Sequence, residues 1–225
     1  MHTVKDTHPD DPTWKVTISK TELADLPAAS YSGKITLVDT LEDAEKATRI
    51  LAAEQEIGFD TETKPSFRRG QSHKVSLMQL STHDQCFLFR LNHIGMPDCL
   101  REILESPSLL KIGVSIHDDF LNLHKISDLE PDGFIDLQSY VKQFKIADNS
   151  LSRIYGILFG NRISKGQRLS NWEASELTQH QQEYAALDAL ACLRIYDYLQ
   201  ENGFDWNDSE YYRETEDPNQ PKPEA

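Results

Sequence analysis

The sequence predicts an α/β fold, a β-sheet of mixed direction flanked by helices. Three observations predict it. Short apolar runs of strand length recur between residues 34 and 114, and two of them are joined by the short link Ser81–Asp84, which makes a hairpin. Segments with helical spacing stand between and after these runs. One long helix, opened by the capping pair Thr178 and Gln181, follows the last apolar run.

Residues 1–13 are polar and hold two prolines, so they read as loosely held. Trp14 to Ser19 alternates and reads as a short strand or an extended arm, with a brief helical turn to Leu26. Lys34 to Asp39 is the first clear strand. Thr40 with Asp43 signals a helix start, and Leu41 to Ala53 carries helical spacing. Strands are expected at 56–62, 75–80 and 85–90. The polar link 64–73 contains Pro65 and Gly70. A helix over 97–105 leads to a strand over 109–114, apolar enough for burial on both faces. Helical spacing continues over 116–125, 134–144 and 151–159. Residues 161–170 form a polar loop carrying Arg162, Lys165 and Arg168. The long helix is predicted to run from Thr178 to about Asn202, and the chain is expected to dissolve into an acidic end from about Asp205. The domain reading is an arm over 1–30, a main domain over 31–203 and an acidic tail over 204–225.

The chain has 225 residues with a formal net charge of −14, which argues against nucleic-acid binding through a broad basic surface. The charge is uneven: eight acids face two bases over 201–225, and five acids face three bases over 1–30. The middle therefore carries a net −6, part of which a carboxylate metal cluster would absorb. Cys86, Cys99 and Cys192 are scattered with no Cys-x-x-Cys spacing, which favours free buried thiols over zinc or disulfides. No long apolar stretch or signal-peptide pattern is present. No membrane partner is expected, and the expected location is the cytoplasm.

Within the strand at 56–62, Asp60 and Glu62 point to the same face. Two adjacent carboxylates repel, and on a buried edge each also loses water, an arrangement relieved by a divalent cation. A strand end with two solvated acids is the plainer reading. After the strand over 109–114 comes a small-residue turn and a helix start with Asp118 and Asp119. Asp118 reads as a helix N-terminal acid, and Asp119 as either the same decoration or a functional group. On the long helix, Tyr184 and Asp188 are one turn apart on one face, and Ala185, Ala186 and Ala189 would let the helix approach the sheet closely.

Asp60-x-Glu62 on a strand, an Asp after a strand-glycine turn, and Tyr184-x3-Asp188 on a late helix stand in a fixed order. Together they resemble the three motifs of the DEDD (DnaQ-like) 3′–5′ exonuclease superfamily, in its tyrosine subgroup, which contains RNase D and the Werner syndrome exonuclease domain. Phe59-Asp60-Thr61-Glu62, Gly113-Val114-Ser115-Ile116 before Asp119, and Ser170-Asn171-Trp172 also look like that subgroup. The resemblance covers roughly residues 34–200. The histidine variant places His five residues before the last Asp; here that position is Glu183. Aligning Gly113 and Ile116 puts the functional acid of the second motif at Asp119.

The resemblance implies a ribonuclease H-like fold and hydrolysis of phosphodiester bonds from a free 3′ end, releasing nucleoside 5′-monophosphates. It implies two Mg²⁺ or Mn²⁺ ions held by Asp60, Glu62, Asp119 and Asp188. Asp60 would bridge both, Glu62 and Asp188 would serve the water-activating ion, and Asp119 the second. Tyr184 would orient the water, since a phenol titrating near 10 is a poor base at neutral pH. Substrate contacts are expected from Thr61 and Thr63 beside Glu62 and from Lys165 and Arg168, with Arg68 and Arg69 as further candidates. Trp172 is expected to pack. RNase D-like proteins normally carry helical nucleic-acid-binding domains after the nuclease core, and their lack here leans the expected partner toward DNA over RNA. The alternative is a catalytically silent exonuclease-like module that binds nucleic acid or protein.

Overall fold

The computed structural model describes residues 13–67 and 73–215. Two short strands, β1 (Trp14–Val16) and β2 (Lys34–Val38), are separated by α1 (Lys20–Asp25). Then come α2 (Leu41–Leu51), β3 (Glu56–Thr63), β4 (Val75–Ser81), β5 (Gln85–Phe89), α3 (Leu91–Ile94) and α4 (Asp98–Glu105). The chain continues through β6 (Leu110–Gly113), α5 (Ile116–Leu123), β7 (Phe134–Asp136), α6 (Leu137–Tyr140), α7 (Leu151–Phe159), α8 (Gln179–Asn202) and β8 (Tyr212–Glu214).

The main sheet has the order β2-β5-β4-β3-β6-β7. The β4–β5 hairpin expected from the Ser81–Asp84 link is present, with Met78 opposite Phe89 and Leu80 opposite Phe87. β3 lies antiparallel to β4 and parallel to β6, while β2–β5 and β6–β7 are parallel. The mixed directions and flanking helices agree with the sequence reading.

Alternation along the strands divides the core into two layers. Phe59, Met78, Leu80, Phe87 and Phe89 face α2 and α4, joining Leu51, Leu100 and Leu104. Leu77, Cys86 and Leu88 face the other way and meet Trp172, Ala185, Ala186 and Ala189 of the α8 side. Burying a side chain of the size of Phe59 contributes about 1.5–3 kcal/mol. The small residues of α8 matter because a Cβ on Gly58 would lie 1.9 Å from the Ala189 carbonyl oxygen. β3 and α8 thus touch backbone to backbone, as the alanines suggested. α8 itself starts at the expected capping box, Thr178 with Gln181, a device worth about 0.5–2 kcal/mol.

Three expectations are corrected. Residues 134–144 are not one helix. Phe134–Asp136 form β7, paired with Lys111–Gly113, before α6 and a 3₁₀ turn over Val141–Phe144. Three strand residues are too few to show a period of two, and Leu137 and Val141 extend an apparent helical spacing back over them. The short helix α3 after β5 was missed. The chain also does not dissolve at Asp205: a 3₁₀ turn over Trp206–Asp208 leads to β8, which pairs antiparallel with β1. Tyr211 and Tyr212 are buried there, and Arg213 makes a two-pronged ion pair with Glu22 at 3.0 and 3.2 Å. Acidic composition hid this, because two tyrosines and one arginine are enough to fasten a short strand.

The expected strand over 109–114 is buried, but it carries a lysine. Lys111 has no exposed surface; its Nζ donates to the Ser106 carbonyl at 2.6 Å and lies 4.9 Å from the centroid of the Phe134 ring. Burial pulls its pKa down to about 8.

Candidate active site

β3 sits between β4 and β6, but β6 pairs only with its first half, Glu56–Gly58. Beyond Gly113 the partner strand turns away through Ser115, which adopts a left-handed conformation at φ 61°, and enters α5. A Cβ on Gly113 would come within 2.7 Å of the Ile116 side chain, so the turn needs glycine there. The second half of β3 is therefore open on that side, where Asp60, Thr61 and Glu62 stand.

Period-two alternation sends Asp60 and Glu62 toward α8, the face of their cross-strand partners Gln79 and Leu77. The close Gly58–Ala189 approach brings Asp188 down to them. Carboxylate oxygens of Asp60, Glu62 and Asp188 all lie within 4.8 Å of one another. Thr61 is turned toward α5, and its hydroxyl donates a hydrogen bond to Asp119. Asp118, one residue earlier, is exposed. The structure thus distinguishes two acids that the sequence set side by side.

Electrostatics follow from crowding and burial. Asp60 is raised well above the carboxylate range by burial first, then by Asp188, Glu62 and Asp119. Burial, with Asp188 and Asp119, pushes Glu62 up to about 9, opposed by Arg168. Asp119 rises to about 7 through burial, against the pull of the Thr61 hydroxyl. Asp188 rises to about 7 through burial, against the pull of the Tyr184 hydroxyl. The phenol of Tyr184 is pushed up by burial and by Asp188 and Glu62. Asp188 Oδ1 is buried with no hydrogen-bond partner among the described residues. An all-oxygen set of crowded carboxylates with an orphaned buried oxygen fits a hard divalent cation.

A cleft of about 420 Å³ opens beside Tyr184 and Asp188, and Lys165 and Arg168 line it. Trp172 is fully buried and lies 6.2 Å from Tyr184, ring centroid to centroid, so it packs as expected. Thr63 stands at a register shift after Glu62, opposite Val75. Glu183 accepts a hydrogen bond from Gln179. Arg68 and Arg69 lie outside the described residues.

Two neighbours escaped the sequence reading. Gln79 sits directly opposite Asp60, fully buried, with neither amide atom partnered among the described residues. A lone amide inside the apolar run 75–80 was the signal for it. Glu173 draws in Lys64 at 3.0 Å and His73 at 3.2 Å, tying both ends of the β3–β4 connection to the segment before α8. Those partners are some hundred residues away in sequence, and no local pattern marks them.

Comparison with known proteins points the same way. Residues 35–203 match the family model described as 3′–5′ exonuclease. The mouse bifunctional 3′–5′ exonuclease/ATP-dependent helicase WRN is 31% identical over 196 residues, which is 82% of this chain and 14% of that protein. An Arabidopsis thaliana 3′–5′ exonuclease is 27% identical over 205 residues, 82% of this chain and 69% of that one. Among solved structures, the Aedes aegypti Nibbler EXO domain superposes with a TM-score of 0.69 at 24% identity, covering 79% of this chain and 95% of that domain. Escherichia coli RNase D gives 0.67 at 23% identity, covering 74% and 44%. These structures share the ribonuclease H-like fold.

Proposed function

The chain belongs to the 3′–5′ exonuclease family, and from that premise we propose that it is a metal-dependent hydrolase that shortens nucleic acid from a free 3′ end. The observation that carries the proposal is the meeting of Asp60, Glu62 and Asp188 oxygens within 4.8 Å, each raised in pKa, with Asp119 held alongside by Thr61.

Asp60, Glu62, Asp119 and Asp188 would hold two Mg²⁺ or Mn²⁺ ions. When bound, such a pair supplies Lewis-acid stabilisation of the attacking and leaving oxygens of an in-line displacement. Asp60, on which Asp188, Glu62 and Asp119 all act, would serve both. The hydrogen bond from Thr61 would hold the Asp119 carboxylate toward the other acids. Tyr184 stays a protonated phenol, because burial and the facing acids Asp188 and Glu62 oppose a negative charge there. It therefore orients a water by hydrogen bonding and does not take its proton. Lys165 and Arg168, which line the cleft together with Asp188 and Tyr184, would give it two cations for the backbone phosphates. Thr61 and Thr63 flank Glu62 where a terminal 3′-OH would reach the backbone. The products would be a nucleoside 5′-monophosphate and a strand shorter by one residue.

DNA is proposed ahead of RNA as substrate. The mouse relative is named as an exonuclease–helicase and the E. coli structure as an exoribonuclease, so matched substrates make the test. The protein is incubated with 3′-end-containing single-stranded DNA, duplex DNA and RNA, with Mg²⁺ or Mn²⁺. Stepwise shortening that needs the metal, abolished in a folded Asp60→Ala variant, is expected. DNA and RNA both left intact with either metal would reject the proposal.

A further inference from the structure

We propose that Glu56, His83 and Asp197 form a second cation site, one for a divalent ion of the zinc, cobalt or manganese kind that takes mixed imidazole and carboxylate ligands. The site is independent of the nuclease reading. It lies at the other end of β3 from Asp60, and Asp197 stands nine residues after Asp188, about 13–14 Å along the axis of α8.

The three residues come from three elements: the first position of β3, the β4–β5 turn, and α8. One ligand atom from each lies within 4.8 Å of the other two. His83 Nε2 is 3.5 Å from one Asp197 oxygen. The other Asp197 oxygen is buried with no hydrogen-bond partner among the described residues. Asp197 also meets the Glu56 carboxyl, and Glu201, one turn further along α8, adds a third negative charge nearby. Asp197 is thus crowded by the acids Glu56 and Glu201. Two carboxyls in contact need a proton or a cation between them. His83 decides in favour of a cation of a particular class. Its ring nitrogen, 3.5 Å from Asp197, offers a lone pair to a metal. An imidazole nitrogen with two carboxylate oxygens suits first-row divalent ions better than Mg²⁺ or Ca²⁺. The His83 side chain is 57% exposed, which leaves an entry path and room for water at the remaining positions. A bound ion would link the start of the central strand, the hairpin turn and the last helix, stabilising the folded state by mass action.

The test uses tag-free full chain carrying Asp60→Asn and Asp188→Asn, which removes two of the four acids of the candidate catalytic cluster and so weakens metal binding there. Co²⁺ is titrated into it. One equivalent is expected to bind, with visible d–d absorption and a raised Tm. Adding His83→Gln, a change at an exposed turn, is expected to abolish the absorption and the Tm gain while circular dichroism stays unchanged. Adding Asp197→Asn should do the same. No cobalt absorption in the parent double variant would overturn the proposal, as a carboxyl pair sharing a proton would give. Absorption undiminished by His83→Gln would also overturn it.

Discussion

The Thr61 hydroxyl donates a hydrogen bond to the Asp119 carboxylate, joining β3 to α5 across 58 residues of sequence. It selects which of two neighbouring acids belongs to the site. Thr61→Val keeps the shape of the side chain and removes the donor. Partners that orient a metal ligand are typically worth about 10–100-fold in metal affinity or activity. A loss of that size is expected, read as a higher metal concentration for half-maximal activity. Asp119→Ala should be inactive and Asp118→Ala near normal. Equal losses from the two alanine variants would refute the assignment.

The crowded acids make stability depend on pH in an unusual direction. An acid whose pKa is raised on folding binds more protons folded than unfolded, so stability falls as pH rises. Unfolded carboxylates titrate near 4, while Asp119 and Asp188 are raised to about 7 and Glu62 to about 9. The metal-free protein should therefore lose thermal stability steadily between about pH 5 and pH 8. Saturating Mn²⁺ should cancel most of the loss, and Asp60→Asn should raise the metal-free Tm. Melting curves at several pH values, with and without Mn²⁺, decide this. A metal-free Tm that climbs with pH would contradict it.

Gly58 sets the distance between Asp60 and Asp188. A Cβ there would collide with the Ala189 carbonyl, so Gly58→Ala must push α8 off the strand. Overpacking of this kind costs about 1–3 kcal/mol. Activity should fall further than stability, since a displacement of about 1 Å at a catalytic group costs about 100-fold. Urea denaturation and initial rates on the same preparation test the pair of effects. Full activity in a folded Gly58→Ala protein would show that the close approach is unnecessary.

Glu173 ties Lys64 and His73 to the chain before α8, next to buried Trp172 and hence to Tyr184. The ion pairs are partly exposed, so Glu173→Gln should change stability by less than about 1 kcal/mol. Loosening the segment that leaves Glu62 should still lower kcat, with Glu173→Asp less affected than Glu173→Gln. Unchanged kinetics in both variants would leave Glu173 a surface residue only.

The family motifs were legible because they are local. Asp-x-Glu on a strand and Tyr-x3-Asp on a helix are set by the two backbone periods, and a residue's face follows from its number alone. The capping box of α8 and the β4–β5 hairpin were legible for the same reason. The three-residue strands at 134–136 and 212–214 were not. Phe134–Asp136 and Tyr212–Glu214 are held by pairing with Lys111–Gly113 and Trp14–Val16, and so short a strand carries no period to read. The sequence by itself determined which acids could gather and on which elements they ride. Only the tertiary structure decided how near they come, through the Gly58–Ala189 contact; the choice of Asp119 over Asp118, already implied by the motif resemblance, is seen there as a side chain bonded to Thr61 beside an exposed one. It also brought Gln79 opposite Asp60, Lys64 and His73 to Glu173, and His83 to Asp197. These meetings depend on strand register and helix approach, which arise from packing distant segments together and leave no trace in local spacing.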